Sequence, residues 1–281
     1  MSESTSSTLE PGVYPGLSFE DYCNIDAVNS SSLKLIRKSP AHFRGAYLKK
    51  YSPPTDAQML GTQIHSAVLE PKKFNEEFAI QPEYIKTRRG QAWEELVEEM
   101  GGAEFVIRTR DLETIESVKN AVHLNDPINQ IIEEANKGEG EVELSIVWRD
   151  EGTGVLCKAR IDLVHFAKGI ILDLKTTKGA DTEGFLRDII TYRYVNQAAF
   201  YAWGLSVIKG KKFRPLIVAA EKSYPFGVQS FSFESKVLQA AHEENMNYLR
   251  TVAKCQASGQ WDCYPEEVRT LSQEDLDNAF N

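Results

Sequence analysis

The chain has 281 residues, of which 42% are hydrophobic and 26% charged, a composition typical of a folded globular protein. No apolar run reaches the roughly 18 residues that a transmembrane helix needs, so the sequence predicts no membrane-spanning segment. The formal net charge of −9 argues against a surface that is basic throughout, but a local basic channel can lie within an acidic exterior.

The N-terminus is rich in Ser and Thr and lacks the basic and apolar segments of a signal peptide. This composition predicts a disordered tail over residues 1–15, followed by a single domain over residues 16–281. The lack of a secretory signal favours a cytoplasmic location. The four cysteines show no C-x-x-C spacing and are expected to be free thiols.

Helical signals fill the next part of the chain. Asn29 and the serines after it offer capping groups ahead of an apolar run that starts at Leu33, and Pro40 follows the end of this first helix. Apolar residues at three- and four-residue spacing predict a helix over residues 56–69. Further helices are predicted over residues 41–50, 91–100, 111–123 and 127–135.

Strand signals replace helical ones after residue 140. An alternating pattern predicts a half-buried strand over residues 141–148, with one face formed by Val142, Leu144, Ile146 and Trp148. Strands are also predicted over residues 155–165, 170–175, 213–221 and 228–233, and helices over residues 182–190, 194–208 and 234–257. This order predicts an α/β or α+β domain with a central mixed sheet flanked by helices.

Two strand ends carry the residues with the clearest chemistry. Asp162 lies near the end of one predicted strand, and Asp173 and Lys175 lie at the end of the next. Strand side chains alternate, so Asp173 and Lys175 share a face, and an antiparallel neighbour can bring Asp162 beside them. Carboxylates suit Mg²⁺ or Mn²⁺, and a nearby lysine can orient or deprotonate an attacking water or neutralise developing charge. This combination indicates phosphodiester hydrolysis; an ordinary ion pair at a strand end is the alternative.

These residues resemble the strand motif of the PD-(D/E)XK nuclease superfamily, in which an Asp and a variable spacer precede an Asp or Glu, any residue, and a Lys. Here the motif consists of Asp162, a ten-residue spacer, and Asp173-Leu174-Lys175. Ile161 stands where the superfamily has a proline. The resemblance implies a restriction-endonuclease-like core, with a central mixed sheet flanked by helices.

Two further motifs resemble narrower groups within that superfamily. Gln197 and Tyr201 share one helical face and match the Q-x-x-x-Y pattern of the branch that contains lambda exonuclease and RecB-like nucleases. The segment around His65 resembles the early helix of RecE-type 5′→3′ exonucleases, which supplies a histidine metal ligand. The resemblance covers roughly residues 30–204. An aromatic core helix and an ordinary surface or core histidine are the simpler alternatives.

The resemblance implies a role for each matching residue. The metal ligands would be His65, Asp162, Asp173 and the backbone carbonyl of Leu174. The catalytic set would be Lys175, Asp173, Asp162 and Glu143, in which Lys175 positions or activates the attacking water and Glu143 holds a second ion or its water. Contacts to DNA are expected from Ser31, Ser32, Arg88, Arg89, Arg160, Thr176, Gln197 and Tyr201.

Simpler roles are open for the expected DNA-contact residues. Ser31 and Ser32 lie at a helix N-terminus, where they could hold a 5′-phosphate or only cap the helix. Gln197 and Tyr201 could instead brace the site. The basic residues that could line a DNA path could equally be solvated surface charges; these residues are Lys34, Arg37, Lys86, Arg88 and Arg89.

The function that the resemblance implies is a Mg²⁺-dependent 5′→3′ exonuclease, with Mn²⁺ as a substitute, acting on the ends of linear double-stranded DNA. It would leave a 3′ single-stranded overhang for recombination by a RecT-like or lambda-beta-like annealing protein. A homo-oligomeric ring, trimeric or tetrameric, in a bacterial or phage-infected cell is the expected setting. The alternatives are a nuclease of other polarity, an endonuclease, and a non-catalytic DNA-binding protein with a nuclease fold.

Overall fold

The computed structural model of the protein describes residues 9–49 and 54–280. Its strands are β1 Gly12–Tyr14, β2 Ala79–Ile80, β3 Val106–Ile107, β4 Gly140–Arg149, β5 Leu156–His165, β6 Ile170–Thr177, β7 Arg214–Glu221 and β8 Val228–Ser232. Within the described residues, six of them form a central sheet in the order β1-β4-β5-β6-β7-β8, and β2 and β3 form a separate parallel pair. Only β6 and β7 run parallel in the central sheet. The predicted mixed sheet is therefore confirmed.

The helices are α1 Phe19–Asn24, α2 Ser30–Leu33, α3 Pro40–Leu48, α4 Asp56–Leu69, α5 Pro71–Glu77, α6 Gln91–Met100, α7 Thr109–His123, α8 Asp126–Glu134, α9 Thr182–Tyr192, α10 Tyr194–Lys209, α11 Ser235–Ser258 and α12 Gln273–Phe280. Helix α4 begins with a reciprocal capping box between Thr55 and Gln58, which fixes its start at the predicted residue. Over the described part of the chain, no helix is both long and apolar enough to cross a bilayer.

Helices cover both faces of the central sheet, and each face has its own buried cluster. One cluster joins α4, α7 and α8 to the sheet through Ile64, Ile115, Ile132, Leu172 and Leu174. The other joins α10 and α11 to the sheet through Trp148, Phe200, Leu205, Leu249 and Val252. Full burial of an aliphatic or aromatic side chain stabilises a fold by about 1.5–3 kcal/mol. The two clusters therefore hold α4 and α10 firmly against the strands between them.

The N-terminal segment joins the sheet earlier than predicted. Residues 1–8 of the predicted tail lie outside the described residues, but Gly12–Tyr14 pair with residues 145–147 of β4. The buried ammonium of Lys158 then donates to the carbonyls of Tyr22 at 2.7 Å, Ile25 at 2.9 Å and Cys23 at 3.1 Å. The described fold therefore includes residues 12–15, which the composition alone had assigned to the tail.

The close approach of α10 to β4 gives a test of this packing. A Cβ atom at Gly204 would lie 2.7 Å from carbons of the fully buried Trp148 ring. We expect Gly204→Ala to lower the free energy of unfolding by about 1–3 kcal/mol, the usual cost of overpacking. Gly45→Ala in α3, where a Cβ meets no atom within 4 Å, is the matched control. Urea unfolding that gave equal stability for both variants would contradict this packing.

Candidate active site

The centre of the site is the place where β5 and β6 separate. These antiparallel strands pair only through Leu163–His165 and Ile170–Leu172, so Asp162 and Asp173 stand just beyond the last paired residues. The Leu174 N–H donates to the Asp162 Oδ2 at 2.8 Å and thereby ties the two strands together across the split. The two carboxylates therefore stand where the ladder between β5 and β6 stops.

Glu143 reaches the site through an unusual backbone conformation. Its φ is +52° in the middle of β4, which is uncommon for a residue with a side chain. Val142 packs on the α4 face, whereas Leu144 packs on the α10 face, so the alternation of side chains slips at Glu143. The prediction of one common face for Val142, Leu144, Ile146 and Trp148 is therefore wrong at Val142. The slip frees the Glu143 carboxylate to face Asp162.

His65, Glu143 and Asp162 come together although they are far apart in sequence. Each offers a ligand atom, and these atoms all lie within 4.8 Å of one another. The Nδ1 atom of His65, which projects from α4, lies 3.5 Å from the Asp162 Oδ2. One nitrogen and two carboxylates at this spacing can hold a divalent cation.

Asp173 and Lys175 form the second half of the site. The Lys175 Nζ lies 2.7 Å from the Asp173 Oδ2 and 4.9 Å from the centre of the Tyr194 ring. The Asp173 Oδ1 is buried and has no hydrogen-bond partner among the described residues. A buried carboxylate oxygen without a partner is costly, and a cation would satisfy it. This orphaned oxygen and the neighbouring cluster fit the divalent ion that the sequence motif implies.

The electrostatics of the site follow from burial and mutual repulsion. Burial, with the nearby charge of Asp173, raises the pKa of Asp162 to about 7. Burial and the charge of Asp162 also raise the pKa of Glu143, while burial lowers the pKa of His65. The two carboxyl groups therefore lie beside an imidazole whose lowered pKa keeps it neutral at pH 7, and a neutral imidazole can ligate a metal.

Lys175 stays charged in these surroundings. Burial acts to lower the pKa of Lys175, but the carboxylates of Asp173 and Asp162 outweigh it and raise that pKa above its ordinary value. A lysine that holds its proton this firmly orients groups and stabilises negative charge rather than accepting a proton. The structure therefore favours the positioning role among those that the sequence left open.

A divalent ion bound here would polarise a phosphoryl oxygen and lower the pKa of an attacking water. The groups available to hold it are the carboxylates of Asp162, Asp173 and Glu143, the His65 imidazole, and the backbone of Leu174. Asp173 lies outside the compact group of His65, Glu143 and Asp162, and its Oδ2 is engaged by Lys175. The Lys175 ammonium lies beside these carboxylates, where it can neutralise charge on a phosphoryl group.

The helix α10 supplies one wall of the site. The Gln197 Nε2 donates to the Tyr201 Oη at 2.7 Å, as their spacing on one helical face predicts. Burial raises the pKa of Tyr201 well above 10, and the charges of Asp173 and Asp162 add to the shift. The geometry fits a brace for the carboxylates, and contact of either residue with DNA stays a prediction.

Cationic side chains occur at the opening of the site. The Lys34 Nζ donates to the Tyr192 carbonyl at 3.3 Å. Burial lowers the pKa of Lys34, and the Lys175 ammonium lowers it further, so the two cations are close enough to repel each other. Two neighbouring ammonium groups make this opening attractive to a phosphate.

The two serines expected at the DNA contact lie in the four-residue helix α2. The cap is the Asn29 side chain, whose Oδ1 accepts from the Ser32 N–H at 2.8 Å, and not one of the serine hydroxyls. The Ser32 hydroxyl donates to the Asn29 carbonyl at 3.1 Å, and the Ser31 side chain is exposed. Their contact with a phosphate stays a prediction.

The other expected DNA-contact residues are scattered. Arg160 is held by hydrogen bonds. Its Nε donates to Glu143 at 2.7 Å and its Nη1 to the Leu17 carbonyl at 2.7 Å, an arrangement that positions Glu143. Thr176 is half-buried on β6, and Arg89 is exposed. Arg88 lies in a separate basic cleft with Arg108 and Arg110, two residues that the sequence reasoning missed. The run Arg108-Thr109-Arg110 at the start of α7 was the available signal.

A second acidic cluster lies at the far end of β5. His165 Nε2 lies 2.8 Å from Glu134 Oε2 and 3.7 Å from Glu139 Oε2. The Lys168 ammonium pairs with Glu134, and its backbone N–H lies 3.4 Å from His165 Nδ1. Since Nδ1 accepts this bond, Nε2 carries the proton and donates to Glu134. The cluster is thus a satisfied ion-pair network with no free nitrogen ligand.

Comparisons with known proteins show the kind of domain that carries this site. Residues 29–274 match a family described as a PDDEXK-like domain of unknown function, DUF3799. The chain belongs to this family. The DUF3799 assignment confirms the predicted PD-(D/E)XK superfamily and leaves the narrower RecE-type resemblance a prediction. A search of curated proteins found no match.

One solved structure shows the same fold. A proposed exonuclease from Eubacterium rectale aligns with a TM-score of 0.61 at 14% identity, over 92% of this chain and 97% of its own. At that identity the likeness shows the fold alone. A second structure, of the protein SSO0001, is 14% identical over 67% of this chain and 84% of its own, and its TM-score of 0.28 carries no argument. This DUF3799 chain is therefore a PD-(D/E)XK nuclease-type domain. Nucleases of this superfamily generally use divalent metal ions.

The role of His65 can be tested by changing the metal. If His65 is a ligand, His65→Ala should reduce Mg²⁺-dependent hydrolysis strongly, and the loss should change when Mn²⁺ is supplied, because imidazole suits Mn²⁺ better. Thr62→Ala, at an exposed position one turn earlier on α4, is the matched control and should cost within about 0.5 kcal/mol of stability. Equal nuclease activity of both variants in both metals would remove His65 from the ligand set.

The raised pKa of Asp162 predicts a pH-dependent response to metal. The folded state keeps this proton up to a pH of about 7, whereas an unfolded Asp loses it near 3.9. Between these values the folded state binds more protons, so the metal-free protein should lose stability as pH rises through this window. Mn²⁺ should therefore raise the Tm more at pH 8 than at pH 5.5. In the metal-free protein, Asp162→Asn should reduce the fall in stability between these two pH values, with the raised pKa of Glu143 accounting for what remains. An unchanged fall in this variant would contradict the raised pKa of Asp162.

Proposed function

We propose that this protein is a divalent-metal-dependent 5′→3′ exonuclease that degrades one strand of linear double-stranded DNA and leaves a 3′ single-stranded overhang. The observation that carries the proposal is the convergence of Asp162, Asp173 and Lys175 where β5 and β6 separate, with His65 reaching the same point from α4. The family match supports a nuclease, and the motif resemblance around His65 and Gln197 supports the exonuclease type and polarity.

The proposed role of each residue follows from its charge. Asp162, Asp173 and Glu143, with His65 and the Leu174 backbone, would hold Mg²⁺ or Mn²⁺. The Lys175 ammonium would stabilise charge on the phosphoryl group, and the Tyr194 ring beneath it would limit where that ammonium can move. Lys34 would draw the terminal phosphate toward the opening.

The biological setting of the proposal comes from the same resemblance. The overhang would pass to a single-strand annealing protein, RecT-like or lambda-beta-like, during recombination in the cytoplasm of a bacterial or phage-infected cell. The protein would act as a homo-oligomeric ring, a trimer or tetramer, around the DNA. Sedimentation of the purified protein with and without duplex DNA tests the ring.

A nuclease assay with labelled ends tests the proposal. Linear duplex DNA labelled at one 5′ end should release a labelled mononucleotide early, whereas label at the 3′ end should be retained. Closed circular duplex should stay intact, and EDTA should stop all release. Early release of the 3′ label would show the opposite polarity. Cutting of the closed circle would show an endonuclease. Binding of the DNA without any hydrolysis would indicate a non-catalytic DNA-binding protein.

A further inference from the structure

A basic cleft lies on the α4 side of the molecule, apart from the carboxylate cluster. It has a volume of about 380 Å³ and is lined by Gln81, Lys86, Arg88, Arg108, Thr109 and Arg110. We propose that this basic cleft binds a backbone phosphate of the DNA a few nucleotides away from the cleaved bond. The inference deepens the proposed function and rests on it for the identity of the anion.

Packing and hydrogen-bond contacts fix the position of Arg88 in the basic cleft. Its guanidinium stacks over the Trp93 ring at 4.7 Å, and its Nη2 donates to the Val106 carbonyl. Its Nε is buried and has no hydrogen-bond partner among the described residues. The planar group is therefore fixed in place by these two contacts.

Positive charge in the basic cleft exceeds the negative charge that faces it. Arg108 pairs with Asp56, and Arg110 lies 3.6 Å from Asp111. Lys86 is exposed and, like Arg88, has no ion-pair partner among the described residues. Burial lowers the pKa of Arg88, and the charges of Arg108 and Arg110 contribute to the lowering, which reflects crowding of like charges. An anion would relieve this repulsion.

The start of α7 adds neutral donors to the same cleft. Arg108 occupies the N-cap position but provides no side-chain hydrogen bond to the first turn of this 15-residue helix. The first backbone N–H groups of a helix favour an anion when no side chain caps them. Arg108, Thr109 and Arg110 all line the cleft, so the uncapped helix end and the cationic side chains meet there.

The basic cleft is connected to the metal site along α4. Arg88 contacts the Met59 sulfur at 3.8 Å, and Arg108 pairs with Asp56. Met59 and Asp56 precede His65 on the helix by six and nine positions, which corresponds to roughly 9–14 Å at about 1.5 Å per residue. A DNA strand rises about 3.4 Å per nucleotide along the duplex axis. This axial rise alone would span about three or four nucleotides of a strand that runs alongside α4.

The test compares two double variants in the catalytically inactive Asp173→Asn protein. Lys86→Ala with Arg110→Ala removes two exposed charges from the basic cleft. Lys236→Ala with Arg250→Ala removes two exposed charges from α11, which packs on the opposite face of the sheet, and serves as the control. Circular dichroism verifies the fold of each. Fluorescence anisotropy with a labelled 20-base-pair duplex measures the Kd between 50 and 200 mM KCl.

The cleft variant should bind at least about tenfold more weakly at 50 mM KCl, with a log–log salt slope shallower by about one to two, since each phosphate contact contributes nearly one. Equal binding by the cleft and control variants would overturn the proposal. So would a cleft-dependent rise in Tm with inorganic phosphate alone and no change in DNA affinity, because the site would then serve a free anion. The end-labelled nuclease assay on the wild-type protein tests the proposed function independently, so its failure can be told apart from a failure of the cleft to bind DNA.

Discussion

The Asp173→Asn protein should fold normally and lose about 10³-fold or more of its metal-dependent nuclease activity. Asn keeps the shape of the side chain and one oxygen, but it removes the charge from a carboxylate whose Oδ1 is buried without a partner. A hard cation prefers charged oxygen ligands, and loss of metal activation raises the barrier by several kcal/mol. Nucleotide release from linear duplex DNA measures the effect.

The control for this prediction is Glu183→Gln on α9, which neutralises a carboxylate that is 89% exposed. It should leave activity unchanged, because the side chain is exposed and pairs with Arg187 on the same helix. Wild-type activity in a well-folded Asp173→Asn protein would show that the cluster at the separation of β5 and β6 is not the reaction centre.

Lys175→Met should leave metal binding intact and lower turnover by about 10²–10³-fold. The ammonium is not a ligand, but it lies 2.7 Å from Asp173 and keeps its proton at neutral pH, so its loss removes a fixed positive charge from the reacting region. The uncompensated Asp173 carboxylate should also lower the stability of the metal-free protein, and Mn²⁺ should restore it. Calorimetric titration with Mn²⁺ and single-turnover rates separate the two effects.

Lys178→Met, an exposed position three residues later, is the control for Lys175→Met and should match the wild type in both measurements. If Lys175→Met lost Mn²⁺ affinity to the same extent as Asp173→Asn, the lysine would belong to the metal site rather than to the stabilisation of charge.

The parts of the site that the sequence predicted are those that follow from short-range periodicity. The two-residue repeat of a strand put Asp173 and Lys175 on one face, and they form an ion pair. The four-residue spacing of Gln197 and Tyr201 put their side chains in contact, and they share a hydrogen bond. The meander of three strands brought Asp162 to the same edge.

The parts that the sequence could not predict depend on backbone detail and on long-range contacts. The left-handed conformation of Glu143 could not be predicted from the sequence, because the alternating apolar pattern continues unchanged through Val142 and Leu144. The convergence of His65 with Asp162 was predicted only by the motif resemblance, because no local sequence rule fixes how α4 packs on the sheet. The basic cleft joins residues 81–88 to residues 108–110 through the short pair β2–β3, whose two-residue strands give no periodic signal.

The most direct test of the metal centre is anomalous diffraction from crystals of the protein soaked in Mn²⁺. We predict a peak between Asp162 and Asp173, at roughly 2.0–2.6 Å from carboxylate oxygens and from the Leu174 carbonyl, distances usual for hard cations. The His65 imidazole should lie within ligand distance of the same peak. A peak at Glu134 and Glu139 with none at Asp162 and Asp173 would contradict the assignment of the nuclease centre.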